Sequence, residues 1–358
     1  MTDMAWKREE QAATALRELY RRYGYTPYKM SQFEEYDLYV RNKDFLLSDQ
    51  IITFSDGSGR LLALKPDVTM SIVKNAPKEP GVVRKVYYNE NVYRDYREIH
   101  QTGLECVGDL GSYEIAEAVL LAVKSLELLG GRFMLNLSHM GLTGAVLSAC
   151  NFTPGEKKQA MDCLLRKNAH DLKRLCGDNA DAWKKMDALV CCGSSGREAL
   201  DRVGGVLTTG AEKQALEELT DLWSILEGSG WGNALRLDFS VGSNLGYYSG
   251  VVFRGYLEGI PESVLSGGQY DKLPRKMGRR SRAIGFAVYL DLLQQRGSAA
   301  DGLDLDTVIL HDGTVDTAAL TAAAENAAKS GSVLVCTALP KDRRWKNLIR
   351  LDGGEANT

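Results

Sequence analysis

The sequence predicts an α+β fold, an antiparallel sheet flanked by helices, on three observations. Residues 84–94 and 99–107 are rich in β-branched and aromatic residues and are separated by a short polar stretch, as in a hairpin. Apolar residues recur at helical spacing near the N-terminus and again over 112–129. Residues 141–231 change texture, becoming rich in Leu, Ala, Lys and Glu, which predicts a helical insertion into the sheet domain.

The elements follow in order. Over 5–23, Leu16, Leu19, Tyr20 and Tyr23 share one helical face and Gly24 ends the helix. A strand is expected at 59–64, preceded by SDGSGR (55–60), which lacks the Lys-Ser/Thr ending of a phosphate loop and reads as a hairpin turn. The strands 84–94 and 99–107 come next, then the helix 112–129 closed by Gly130 and Gly131. In the insertion, taken as about 142–232, DRVGGV reads as a helix terminator. Strands are expected again at 234–241 and 245–256, LSGGQYD is expected to be a glycine-rich bend beside the sheet, and 284–295 to be a closing helix. Residues 1–297 thus form the main domain. Residues 303–358 hold one strand, helix, strand unit, about half of the roughly one hundred residues with which a small α/β domain usually builds its own core, followed by a polar tail expected to be disordered.

Composition narrows the function classes. The chain has 358 residues, more than one hydrophobic core usually serves, and a net charge of −3, which argues against a large nucleic-acid footprint. Its seven cysteines form no CxxC pair and fit a reducing, cytoplasmic compartment, with adjacent Cys191 and Cys192 read as small apolar residues. Four scattered histidines offer no zinc spacing, and no motif calls for a cofactor. The charged amphipathic N-terminus is neither a signal peptide nor a membrane anchor.

The hairpin is the most informative segment. A strand's alternation puts Gln101, Gly103 and Glu105 on one face and His100, Thr102, Leu104 and Cys106 on the other. Gly103 between two polar side chains is expected to leave a gap for a small polar ligand.

Five blocks in order resemble a class II aminoacyl-tRNA synthetase of the histidyl type. RRYGYTPYKMSQFEEYDLY (21–39) resembles the family's first motif, a helix leading into a long dimerisation strand. TFSDGSGRLLALKPDVTMSIVKN (53–75) is similar to the segment that contacts the bound amino acid, and the hairpin (84–108) to the second motif. LGYYSGVVF (245–253) with LSGGQYDKL (265–273) resembles the histidine-specific strands, and RAIGFAVYLDLL (282–293) the third motif. The resemblance implies that Asp67 and Thr69 hold the α-amino group of histidine, that Arg94 and Gln101 lie at its carboxylate, and that Glu105 and Tyr248 meet the imidazole with Tyr247 shaping the wall. Those charges suit that ligand: an ammonium takes an acid, a carboxylate takes Arg or an amide, and an imidazole N–H takes an acceptor.

The departures are as informative as the matches. Where the family's third motif has an acid and then an ATP-gripping arginine, this chain has Asp291 and Leu292, and leucine offers no donor to a phosphate. The basic loop expected after Arg94 is reduced to 95–99, too short for a lid. Ser243 and Gly246 replace an arginine and an aspartate of the histidine-specific motif, removing positive charge from the place where the activated carboxyl would form. With an anticodon-binding domain cut to a fragment as well, the chain resembles the regulatory subunits of ATP phosphoribosyltransferase, non-catalytic relatives of histidyl-tRNA synthetase. The resemblance implies a dimer that assembles with a short-form catalytic subunit, activates it, and takes free histidine as a feedback effector, without aminoacylation or tRNA binding. A divergent histidyl-tRNA synthetase and a stand-alone amino-acid-binding or ligase paralogue are the alternatives.

Overall fold

A computed structural model describes residues 3–46, 50–76, 79, 81–192, 196–242, 246–295, 304–341 and 343–352. Two compact units emerge, Ala5–Gln295 and Arg296–Thr358 with Met1–Met4.

In the larger unit, α1 (Asp3–Arg22) ends as expected at Gly24, whose φ of 80° lies in the left-handed region. The long strand implied after it is absent from the described residues. The segment divides instead into β1 (Thr26–Pro27), β2 (Phe33–Glu35) and the short helix α2 (Tyr36–Arg41). Next, β3 (Thr53–Ser55) and β4 (Leu61–Leu64) form an antiparallel pair, and Asp56 ties their turn by accepting from the Ser58 and Arg60 backbone N–H groups. After α3 (Thr69–Lys74) come the two strands of the hairpin, β5 (Val83–Arg94) and β6 (Arg97–Gly108). Their turn is only Asp95 and Tyr96, both at positive φ (51° and 59°), as a tight hairpin with right-handed twist requires.

Helix α4 (Ser112–Leu128) is followed by β7 (Phe133–His139), a strand the sequence reading lacks, and then by six helices. These are α5 (Met140–Ala149), α6 (Pro154–Leu165), α7 (Ala169–Cys176), α8 (Ala180–Val190), α9 (Arg197–Gly204) and α10 (Gly210–Gly228). The expected strand at 234–241 is shorter, β8 (Leu235–Leu237), and the next begins later, at β9 (Val251–Leu257).

Two further expectations are corrected. LSGGQ is no bend but β10 (Leu265–Gln269), followed by the short helix α11 (Lys272–Lys276). The expected closing helix is strand β11 (Arg282–Tyr289), with only Leu290–Gln295 helical, as 3₁₀ turns. Both strands lie inside the sheet, where both faces are covered, so their side chains lack the alternation that marks a half-exposed strand. Small residues fit there for a packing reason. A Cβ at Gly285 would overlap the Glu105 carboxylate, and one at Gly268 would lie 2.8 Å from the Tyr248 ring.

The main sheet runs β1-β5-β6-β11-β10-β9-β7-β8 and is antiparallel except at its two edge pairs, β1 with β5 and β7 with β8. One face packs on α1 and α4 through Leu16, Tyr20, Val119, Leu126, Leu104 and Phe286. The other carries a second core of Tyr39, Met70, Ile72, Val86, Tyr88 and Leu273. Strand alternation separates the two, since Leu104 and Cys106 belong to the first core and Val107 to the second. Within the insertion, Lys185 of α8 and Glu212 at the start of α10 form a buried ion pair at 2.6 Å. The smaller unit is a parallel sheet β13-β12-β14, made of β12 (Leu305–His311), β13 (Val333–Cys336) and β14 (Trp345–Leu351), with α12 (Thr317–Ala328). It holds one strand more than the expected unit. The linker 296–303 and the tail from 353 lie outside the described residues. All seven cysteines are free, and no described helix is long and apolar enough to cross a membrane.

Candidate functional site

The hairpin, the start of α3 and the 247–270 region converge on one narrow cleft of about 50 Å³, lined by all seven site residues expected from the sequence: Asp67, Thr69, Arg94, Gln101, Glu105, Tyr247 and Tyr248. Register explains part of this. Along β6, Gln101 pairs with Glu90 and Tyr289, and Glu105 with Val86 and Gly285, so both side chains leave the same sheet face. The missing side chain of Gly285 makes room for the Glu105 carboxylate.

Glu105 is 2% exposed and lies at the centre of the polar contacts. The Thr69 hydroxyl donates to its Oε1 at 2.7 Å and the Tyr270 hydroxyl donates to Oε2. Burial pushes its carboxyl up to about 8 despite those two hydrogen bonds, and the nearby Asp67 charge adds to the rise. Asp67 accepts the Met70 N–H at 2.8 Å, and burial raises its carboxyl too, against the opposing effects of that bond and of Arg94. Arg94, at the end of β5, donates to Gln101 Oε1 at 3.2 Å, while its buried Nε finds no protein acceptor among the described residues. A guanidinium with an unused donor beside an amide offers a place for a carboxylate.

The segment carrying Asp67 and Thr69 is anchored to the hairpin. Lys65, 1% exposed, pairs with Glu90 of β5, and the Lys65 carbonyl accepts the Tyr93 N–H at 2.9 Å. Tyr247 stacks edge-on against Tyr248, with ring centroids 4.7 Å apart, and also meets Phe45 and Tyr270 at 5.7 Å. These rings form an apolar wall facing the acids.

One expectation fails here. The gap over Gly103 is filled, because a Cβ there would sit 2.6 Å from the hydroxyl oxygen of Tyr88, which pairs with Gly103 across the hairpin. The glycine accommodates an aromatic ring, not a ligand. Tyr88, Ser266, Tyr270 and Tyr289 line the cleft without having been singled out in the sequence. All four stand in blocks that carry the resemblance, Tyr88 in the hairpin, Ser266 and Tyr270 in LSGGQYDKL and Tyr289 in RAIGFAVYLDLL. Ser243 lies outside the described residues, and Gly246 occupies an exposed turn. Leu292, where an arginine was implied, packs against the core on the sheet face of α1 and α4, and Asp291 accepts the His100 N–H at 2.9 Å.

A wider groove of about 500 Å³ lies between α4 and α10. Three of its polar side chains are already engaged: His139 pairs with Glu218 at 3.3 Å, and Arg282 donates to the Leu110 carbonyl at 2.8 Å. The smaller cleft therefore carries the better case, since it combines two perturbed acids, an unused guanidinium donor and an aromatic wall.

The chain is similar to known proteins over most of its length. Residues 1–293 match the histidyl-tRNA synthetase family. The ATP phosphoribosyltransferase regulatory subunit of Symbiobacterium thermophilum is 33% identical over 284 residues, 73% of this chain and 69% of that protein. Its counterpart in Clostridium kluyveri is 27% identical over 325 residues, 86% of this chain and 83% of that one. The crystal structure described as an ATP phosphoribosyltransferase regulatory subunit/histidyl-tRNA synthetase from Bacillus halodurans C gives a TM-score of 0.80 at 24% identity, covering 97% of this chain and 95% of that one. The α+β fold is that of the class II synthetases, and the chain belongs to the histidyl-tRNA synthetase family, among the ATP phosphoribosyltransferase regulatory subunits.

Proposed function

We propose that this chain assembles with a short-form ATP phosphoribosyltransferase, activates it, and binds free histidine as the feedback signal, without aminoacylating tRNA. The observation that carries the reading is a cleft lined by two buried acids, an arginine with an unused donor and a tyrosine wall, beside a hairpin that turns in two residues. Asp67 takes the α-ammonium, Arg94 and Gln101 the carboxylate, and Glu105 and Tyr248 the imidazole; Thr69, expected at the α-ammonium, instead donates its hydroxyl to Glu105 and, with Tyr270, holds it in place. No loop follows Arg94 to fold over ATP, and Leu292 offers nothing to a phosphate. Inhibition then follows as linkage: histidine suppresses activity by as much as it prefers the inactive assembly over the active one.

The test is to mix the purified chain with a short-form catalytic subunit and measure complex formation by light scattering together with phosphoribosyl transfer. A stable complex with raised activity is expected. Absence of both contradicts the reading. A divergent synthetase would instead show histidine-dependent exchange of pyrophosphate into ATP.

The raised carboxyl of Glu105 gives the pocket a pH signature. Free histidine loses its imidazole proton near pH 6.5, at the ordinary value for that ring. Glu105 keeps its own proton up to about pH 8. If the complex shares one proton between imidazole and carboxyl, the free partners already carry that proton between these two values, and binding exchanges none. Below the window one proton must be shed and above it one must be gained, so affinity is expected to fall by up to about tenfold per pH unit on either side. Calorimetry at about pH 5.5, 7 and 9 checks this. A profile that only rises or only falls contradicts the shared proton.

A further inference from the structure

On the sheet face opposite the cleft, Glu9 of α1, His100 of β6 and Asp291 of the 3₁₀ turn bring ligating atoms within 4.8 Å of one another. Three elements distant in sequence supply them, and Glu9 is only 7% exposed. Each group is oriented by a neighbour that stands behind it. His100 Nε2 lies 3.0 Å from Asn89 Oδ1, which also accepts the Thr102 hydroxyl at 2.7 Å. A carbonyl oxygen only accepts, so Nε2 carries the ring hydrogen and Nδ1 is the nitrogen that faces Glu9 Oε2, 3.8 Å away. The Gln294 amide donates to the other Glu9 oxygen, and the His100 backbone N–H donates to Asp291.

The remaining lone pairs of two carboxylates and one imidazole therefore converge. Even a protonated His100 would balance only one of the two negative charges. An outward N–H donated to an amide carbonyl is the arrangement that orients metal-binding histidines and raises their basicity.

We infer that Glu9, His100 and Asp291 form a binding site for a divalent first-row transition-metal ion. One nitrogen and two carboxylate oxygens suit zinc or manganese, and three protein ligands leave room for water. Tetrahedral zinc ligands stand roughly 3.4 Å apart, so no pair of these atoms, all within 4.8 Å of one another, closes by more than about 1.4 Å on binding. The ion pins α1, the hairpin and the 3₁₀ turn together, behind the strand that carries Gln101 and Glu105.

The test uses the full chain stripped with a chelator, titrated with zinc chloride by calorimetry and with cobalt chloride by visible absorption. One equivalent per chain is expected, with a cobalt d–d band. Glu9→Gln and His100→Gln are expected to abolish both signals, and Asn89→Ala to weaken zinc binding by about 10–100-fold through the lost orientation of the ring. Circular dichroism establishes that each variant is folded. Should one of the two ligand variants misfold, the other decides. No zinc or cobalt binding by the parent chain overturns the assignment, as does binding of unchanged stoichiometry and affinity in a folded Glu9→Gln or His100→Gln variant. The outcome is independent of whether the cleft on the other face takes histidine.

Discussion

Replacing Glu105 with alanine is expected to weaken histidine binding by about 1–3 kcal/mol, roughly 5- to 150-fold, while the chain still folds and assembles. The carboxyl is buried and receives the Thr69 and Tyr270 hydroxyls, so its removal deletes the imidazole's acceptor and leaves two donors facing an empty space. Assembly is expected to survive because Glu105 is costly to bury as an ion, as its rise to about 8 shows, and so is not a source of fold stability at neutral pH. Glu105→Gln separates the causes. The amide keeps one acceptor oxygen, and its NH₂ can donate to a hydroxyl, so most of the lost affinity should return. Calorimetry on the three proteins checks it, and equal affinities would take Glu105 out of the site.

A larger effect on stability is expected from Glu212→Ala, about 3–5 kcal/mol, the cost of leaving one member of a buried ion pair without its partner. Glu212 is fully buried. One oxygen meets the Lys185 ammonium at 2.6 Å, and the other accepts the backbone N–H groups of Thr208 and Thr209, at 3.0 and 2.7 Å, closing the N-terminus of α10. The alanine variant strands Lys185 and uncaps the helix in one step. The double variant Lys185→Met with Glu212→Leu removes both charges and is expected to recover part of the loss. The hydrogen bond from Lys185 and those from the Thr208 and Thr209 N–H groups overcome the effect of burial and hold the Glu212 carboxyl down at about 2. A depressed carboxyl stabilises the fold above its ordinary range and ceases to do so as pH falls through the depressed value. Urea unfolding of the parent chain should therefore show a steeper decline between about pH 4.5 and 2 than the Glu212→Ala variant, whose other depressed carboxyls still contribute.

That these seven residues line one cleft was legible in the sequence because they stand in short blocks whose order carries the family resemblance, and β6 adds its own alternation at Gln101 and Glu105. The helices α1 and α4 were legible because each has one apolar face and a glycine stop. Strand β11 was misread as a helix for the opposite reason. Its residues are enclosed on both sheet faces, and RAIGFAVY shows neither a period of two nor a turn signal at its end. Gly103 misled differently. Its pattern along one strand looked like a vacancy, whereas the ring that fills it belongs to Tyr88 on the neighbouring strand, which only the hairpin register reveals. Tyr270 escaped because its hydroxyl meets Glu105 from 165 residues away.

The central claim, that histidine in this cleft governs a partner's catalysis, is tested most directly by titrating histidine into the assembled complex while following phosphoribosyl transfer, with the Glu105→Ala chain assembled in parallel. The account predicts that the parent complex is inhibited with a midpoint that tracks the calorimetric affinity of this chain, and that the Glu105→Ala complex stays active with its midpoint shifted to higher histidine by the same factor as its affinity. Inhibition at the same histidine concentration in both complexes would place the sensor elsewhere and contradict the account.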